Sequence, residues 1–303
     1  MSFSILKWIC PPPETFREPN PDKGKLEWFR CLPYVLIHLA CITAFFFPVT
    51  LPCILIALLS YGVRMFAITA FYHRYFSHRS FKTSRLVQFI GATVACSSGQ
   101  RGPLWWAAHH RRHHKHSDTD DDVHSPHTKS FLWSHTLWFM TDYAVPTFLK
   151  EIPDWLKFRE LRLINRFDWI PVLALALACY WMGEATWFQD LTGLSGMTTL
   201  IWGFLVPTIL LYHATFAVNS IAHIFGSRRY DTKDESKNNF WLALITLGEG
   251  WHNNHHFYPA SARQGFRKRE IDLTYYLLRS LSLLGLVSDL KPVPAWVRDK
   301  ASS

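Results

Sequence analysis

Hydrophobic and polar positions in this chain fall in long blocks rather than in short alternations. Residues 1–30 are polar, proline-rich and weakly basic, and predict an extended N-terminal tail. From Cys31 to Val49 the chain is apolar, interrupted by nothing more polar than His38 and Thr43. Thr50-Leu51-Pro52 marks a turn, and a second apolar run continues to about Phe71. A bilayer is crossed by about 20 apolar residues, so 31–71 predicts a transmembrane hairpin. A second hairpin is predicted at 168–217, with arms Asp168–Gly183 and Met197–Ala217. Its first arm is short and draws on Leu163 and Ile164 at its inner end. Leu86–Ser98 and Phe131–Val145 are also apolar, but each stops after roughly 13–15 residues, too few to cross. They predict helices of a cap, or helices lying in the membrane interface.

Charge turns these blocks into a topology. The chain carries 32 Lys and Arg against 23 Asp and Glu, yet 49% of it is hydrophobic. Only Arg64 among the basic residues lies within either hairpin. The three outlying segments therefore share one side, which the positive-inside rule makes the cytoplasm. The expectation is an all-α integral membrane protein of four transmembrane helices, with both termini and a helical cap in the cytoplasm. In chain order it reads as a tail (1–30) and one domain (31–303). That domain comprises a hairpin (31–71), a cap segment (72–167), a second hairpin (168–217) and a C-terminal cytosolic part (218–303). Arg64 at mid-membrane costs roughly 2.5–3.5 kcal/mol on insertion scales, so it should face the bundle or sit near the inner surface. The six cysteines show no CxxC spacing and sit mostly in apolar runs, as reduced, buried thiols do. The first residues run into Pro11-Pro12-Pro13 without the pattern of a signal peptide. No nucleic-acid partner is expected.

The chemistry lies in histidine. Five of the sixteen stand between Trp106 and His116. His110, His113 and His114 have the i, i+3, i+4 spacing of one helix face, which predicts three imidazoles converging on a metal. His252, His255 and His256 repeat that spacing. Asn219 and His223 stand four apart on the last arm, again on one face. His73 and His78 are five apart, which is 140° on a regular helix, so they converge only where a helix ends or bulges. One zinc takes four ligands, so nine histidines plus Asn219 suit two metals. On ligand type, iron, copper and zinc all qualify. A pair of irons activating oxygen against a hydrocarbon chain explains why these ligands lie under a membrane. Ligating histidines give their other N–H to a carboxylate or carbonyl. Asp118, Glu249 and Asn253 are the nearest candidates, with Asp120, Asp121 and Asp122. His109, His116, His124 and His127 stay outside the ligand set. Arg101, Arg111, Arg112 and Lys115, with Arg263, Arg267, Lys268 and Arg269, form a basic side suited to CoA phosphates, anionic lipid heads or an acidic electron carrier. A metal transporter would place its polar groups near the bilayer midplane, whereas these histidines cluster beyond the span ends.

The order HxxxxH, HxxHH, HxxHH around two hydrophobic hairpins resembles the membrane fatty acyl desaturase family. The words His73-Arg-Tyr-Phe-Ser-His78, His113-His-Lys-His-Ser-Asp-Thr-Asp120, Asn219-Ser-Ile-Ala-His223 and Gly248-Glu-Gly-Trp-His-Asn-Asn-His-His256 are similar to the Δ9, stearoyl-CoA desaturase-like branch, in a bacterial-type member. The likeness covers roughly residues 35–290. It implies four transmembrane helices under a cytosolic cap, and a di-iron centre on the nine histidines with a water on Asn219. It also implies a kinked tunnel for the acyl chain and O2-dependent formation of a cis double bond. The substrate would be a long-chain acyl-CoA or acyl-lipid within the membrane. Electrons would come from a cytochrome b5, ferredoxin or rubredoxin type of donor. A hydroxylase or ketolase on the same scaffold is the alternative. Animal acyl-CoA members carry Arg-Asp where this chain has Ala108-His109, so their headgroup contacts do not carry over. Val123 replaces a usual proline, His252 stands where front-end members have Gln, and no haem-binding HPGG segment occurs.

Overall fold

The computed structural model describes residues 25–300, so most of the tail at 1–30 and Cys10 lie outside the described residues. The architecture is helical, with one two-residue antiparallel pairing of Lys82–Thr83 against Val287–Ser288. Among the described residues, two helices are long and apolar enough to cross a membrane, Leu51–Ser77 and Gly196–Ile224. A third candidate is the bent pair Arg159–Arg166 and Trp169–Glu184. Its two parts meet at 72°, so Leu163 and Ile164 turn away from the arm they were expected to extend. The first apolar run forms a shorter helix, Cys31–Phe46. Its inner part, Trp28–Cys41, is α-helical, and the last turn tightens to 3₁₀ at Ile42–Phe46.

Leu51–Ala67 is the central post, packed against Ile201–Leu205, Val206–Ile224 and Arg85–Cys96. Arg64 faces into this bundle. Its Nη1 donates to Thr208 Oγ1 at 2.7 Å, its Nε donates to Ser60 O at 3.2 Å, and its guanidinium lies 5.9 Å from the Phe204 ring centroid. Leu55, Leu58 and Leu59 of the same helix stay exposed. The helix does not stop at Phe71. It continues through Ile68–Ser77 as a π-helix, which holds His73 inside the element and ends on His78 at its C-cap.

The expected cap helices divide. Arg85–Cys96 is a regular helix, with the Ser84 hydroxyl capping Val87 N at 3.2 Å. Residues 131–145 instead break into short turns, Trp133–Leu137, Trp138–Met140 and Asp142–Ala144. Tryptophan and tyrosine rings fill the core here: Trp105, Trp138 and Tyr143 are all buried. Their bulk leaves no continuous stripe for a regular helix to bury. The extended residues at 25–27 run along this segment, with Glu27 N donating to Met140 O at 2.8 Å and Asp142 N to Lys25 O at 2.9 Å. The described cysteines 31, 41, 53, 96 and 179 are free thiols.

Candidate metal centre

Four elements deliver the nine histidines. Pro103, at the first helical position where its missing N–H costs nothing, opens the second-box helix Pro103–His116. That helix packs along Ile68–Ser77. The short helix His252–Phe257 carries the third box, and His223 ends the long helix Val206–Ile224. In the π-segment residue i+5 bonds back to residue i. His78 N accordingly donates to His73 O at 3.3 Å, and the two rings meet edge to face with centroids 4.9 Å apart. The bulge that the five-residue spacing requires is present.

The nine histidines form two groups. His73, His78, His110, His114 and His255 offer nitrogens that lie within 4.8 Å of one another, and so do His113, His223, His252 and His256. Neither HxxHH box converges on one point. His110 and His114 go to the first group and His113 to the second, while His252 and His256 go to the second group and His255 to the first. The cause is helical geometry: i and i+4 diverge by 40°, whereas i+3 falls on the other flank, 100° from i+4.

Hydrogen bonding alone does not satisfy these rings. In the five-histidine group the Nε2 atoms form a chain of contacts. His73 meets His255 at 2.9 Å, His255 meets His114 at 2.9 Å, His114 meets His110 at 3.0 Å, and His110 meets His78 at 2.8 Å. A neutral ring nitrogen is either a donor or an acceptor, with one in-plane site. The three middle nitrogens cannot each serve two partners, whereas a cation among their lone pairs serves all of them. The donor set therefore fits metal binding. Burial, with the crowding of neighbouring imidazoles, holds His110, His114, His255 and His256 well below the usual histidine range and keeps them neutral for ligation.

Carboxylates fix the outer nitrogens, and unevenly. In the four-histidine group, His223 Nδ1 donates to Asp118 at 2.7 Å, His256 Nδ1 to Asp234 at 2.7 Å and His113 Nδ1 to Asp122 at 3.2 Å. Burial pushes the Asp118 carboxyl up, but His223, Ser125 and the Glu235 amide outweigh it and bring it down to about 2. In the five-histidine group, among the described residues only His73 has a carboxylate partner, Glu249. Glu249 is shared with the fully buried Arg74, which also pairs with Asp272 at 3.0 Å. Gly248 makes this meeting close: its φ is 130°, and a Cβ there would lie 2.5 Å from Asp272 Oδ1.

Asp118, Asp122 and Glu249 thus lie on histidines, while Asp120 and Asp121 lie on none of the nine; Asp121 is 3.8 Å from His116. Asn253 faces a loop instead. Its Oδ1 accepts from Arg229 N and Tyr230 N, both at 2.8 Å, and its Nδ2 donates to Tyr230 O at 3.0 Å. That loop carries Asp234, which the sequence did not single out. Glu235 N donates to Asp118 at 2.8 Å, so the loop is held from both sides. Gln264, 3.2 Å from His73 Nδ1, was likewise invisible. Neither residue has a spacing signal, because each contact is made through space by a loop.

An apolar cavity of about 740 Å³ begins at His110 and Asn219, within the size range of ligand sites. Trp106, Phe139, Leu173, Phe204, Tyr212 and Phe216 are among its walls. Trp106 stacks on His110 with centroids 5.0 Å apart. Of the four basic candidates, only Arg101 lines this cavity. Arg111 is engaged by Asp154 and by the carbonyls of Phe76, Ser77 and Glu151, Lys115 pairs with Glu151, and Arg112 lies over Phe148. His109 is held by Pro146 O at 3.0 Å.

The profile of the fatty acid desaturase family matches residues 25–281. This chain belongs to the fatty acid desaturase family. It is 35% identical over 278 residues to an sn-1 stearoyl-lipid 9-desaturase of Anabaena variabilis, covering 89% of this chain and 95% of that one. It is 33% identical over 270 residues to Delta-9 acyl-lipid desaturase 1 of Arabidopsis thaliana, covering 88% and 84%. An acyl-CoA 5-desaturase of Anemone leveillei is 35% identical over 242 residues, covering 79% and 71%. The histidine groups and the cavity are thus those of a desaturase, an oxidoreductase acting on fatty acyl chains.

Proposed function

We propose that this desaturase is an iron- and O2-dependent Δ9 acyl-lipid desaturase of a membrane, converting a saturated acyl chain to a cis-monounsaturated one. The observation that carries the reading is the apolar cavity, whose lining includes His110 of the five-histidine group and Asn219. Two irons bound there supply the oxidation of adjacent methylenes that no side chain performs. The five histidines around His110 hold one ion, and the four around His223 hold the other, with Asn219 in place for a bound water. Trp106 and the aromatic walls keep water from the reacting carbons. The net reaction takes O2, two electrons and two protons and releases two waters. A cytochrome b5, ferredoxin or rubredoxin type of carrier supplies the electrons.

Acyl-lipid is favoured over acyl-CoA by two observations. Two of the three relatives above act, by name, on lipids. Ala108 and His109, where acyl-CoA members carry headgroup contacts, are buried, and His109 is committed to Pro146. In this reading the chain passes the membrane four times, at Cys31–Phe46, Leu51–Ser77, Trp169–Glu184 and Gly196–Ile224, with the histidines on the cytoplasmic side. The test is turnover of a 1-stearoyl glycerolipid in vesicles with reduced ferredoxin, followed by mass spectrometry of the released chains. A 9,10-alkene is expected. An oxygenated chain without alkene would sink the desaturase reading, and an alkene at another position would sink Δ9.

A further inference from the structure

The cavity is closed toward the cap and open toward the side. Its cap-side walls are buried: Ala144 is 2% exposed, His109 6% and Trp138 7%. On the membrane side, residues that line the same cavity are also surface residues. Leu173 is 48% exposed and Trp169 42%, and Pro33 across the gap is exposed as well. Here the wall is a single layer of side chains, and the cavity is partly open to its surroundings. These residues stand on two helices, Trp28–Cys41 and Trp169–Glu184, which each pack on Ile201–Leu205 but not along one another. Phe204, from that shared support, forms the back of the opening.

We propose that this slot is a lateral portal, through which one acyl chain of a bilayer lipid enters while its headgroup stays in the leaflet. The inference rests on the acyl-lipid reading above. The rims are apolar on both sides, with Pro33, Tyr34 and Ile37 facing Val172, Leu173 and Ala176. They continue the exposed face formed by Leu36 and Leu39 on one helix and Leu177 on the other. The occupant is therefore hydrocarbon rather than peptide. The rims run from Pro33 to Ile37 and from Trp169 to Ala176, about 6 and 10 Å at 1.5 Å per residue, within the depth of one leaflet. Arg101 stands at the polar end of the slot, its Nε 3.4 Å from Asp168 and its Nη2 donating to Val145 O at 3.3 Å. It is the donor placed to meet a glycerol ester at the mouth.

The experiment uses the full chain, loaded with iron, in phosphatidylcholine nanodiscs. The probe is a phosphatidylcholine whose sn-1 stearoyl chain carries a diazirine beside its carbonyl. After irradiation, peptide mapping is expected to find adducts at 33–37 and 169–176. Ala176→Trp, which fills the slot, is expected to cut adduct yield and lipid turnover at least tenfold with iron content unchanged. Adducts confined to the cap around 124–145, or full turnover in an Ala176→Trp protein that still holds its iron, overturn the portal. Adducts at the slot with no alkene from any lipid uphold the portal and sink the proposed reaction instead.

Discussion

Each imidazole in the centre is aimed by whatever holds its second nitrogen, so single carboxylates should act on metal rather than on fold. Asp234→Asn leaves His256 with a poorer partner. Loss of such a partner weakens metal binding by about 10–100-fold. After dialysis, metal content should fall from about two ions per chain toward one, whereas Asp120→Asn, at an exposed position off the nine ligands, should leave it unchanged. Arg74 behaves differently because it is buried between Glu249 and Asp272. Arg74→Met strands two buried carboxylates, a loss of roughly 3–5 kcal/mol. Thermal unfolding in detergent should show that loss whether or not metal is present. At this scale spacing picked out nine histidines that the fold gathers in two groups, but it misassigned them, since each HxxHH box is split between both groups. It was silent on Asp234 and Gln264, because loop contacts leave no period to read.

Among the elements, the π-segment Ile68–Ser77 has the clearest task. Hydrophobic periodicity predicts a helix there but not its hydrogen-bond register, and that register is what brings the His73 and His78 rings edge to face. Deleting Ala70 removes the extra residue and lets the helix relax to α. The two histidines, still five apart, then diverge by 140°. Circular dichroism should show helicity retained while the five-histidine group loses its ion, and two ions bound to the deletion variant would refute the register argument. The loop at 229–236 makes a second case. Asn253→Ala leaves the Arg229 and Tyr230 amides without their acceptor, at a cost of about 1–3 kcal/mol. It also frees the arm that carries Asp234. Unfolding and metal content should therefore fall together here, which separates a loop-holding role from a ligand role.

For the whole molecule, the metals join segments that are far apart in sequence, from His73 to His256. A ligand that binds only the folded state stabilises it by about 2.7 kcal/mol at a hundredfold excess over its Kd. Stripping the ions with a chelator should lower Tm by roughly 5 °C or more, and Fe(II) should restore it. The overall architecture was legible in outline, because blocks of apolar residues report membrane helices directly. The bend of 72° before Trp169 and the broken path of 131–145 were not, since neither leaves a period in the apolar pattern.

The uneven distribution of carboxylates has a consequence for electron counting. Three anions back the four-histidine group, while the one behind the five-histidine group is shared with a buried arginine. A carboxylate on an imidazole N–H makes that ring a stronger base toward its ion. Two irons seated here are thus expected to differ in valence preference, the one beside His223 and His256 giving up an electron first. One-electron oxidation should leave a trapped ferrous–ferric pair with two distinct Mössbauer doublets. In Asp234→Asn kept saturated with iron, without the dialysis that strips the weakened site, the ferric signal alone should shift.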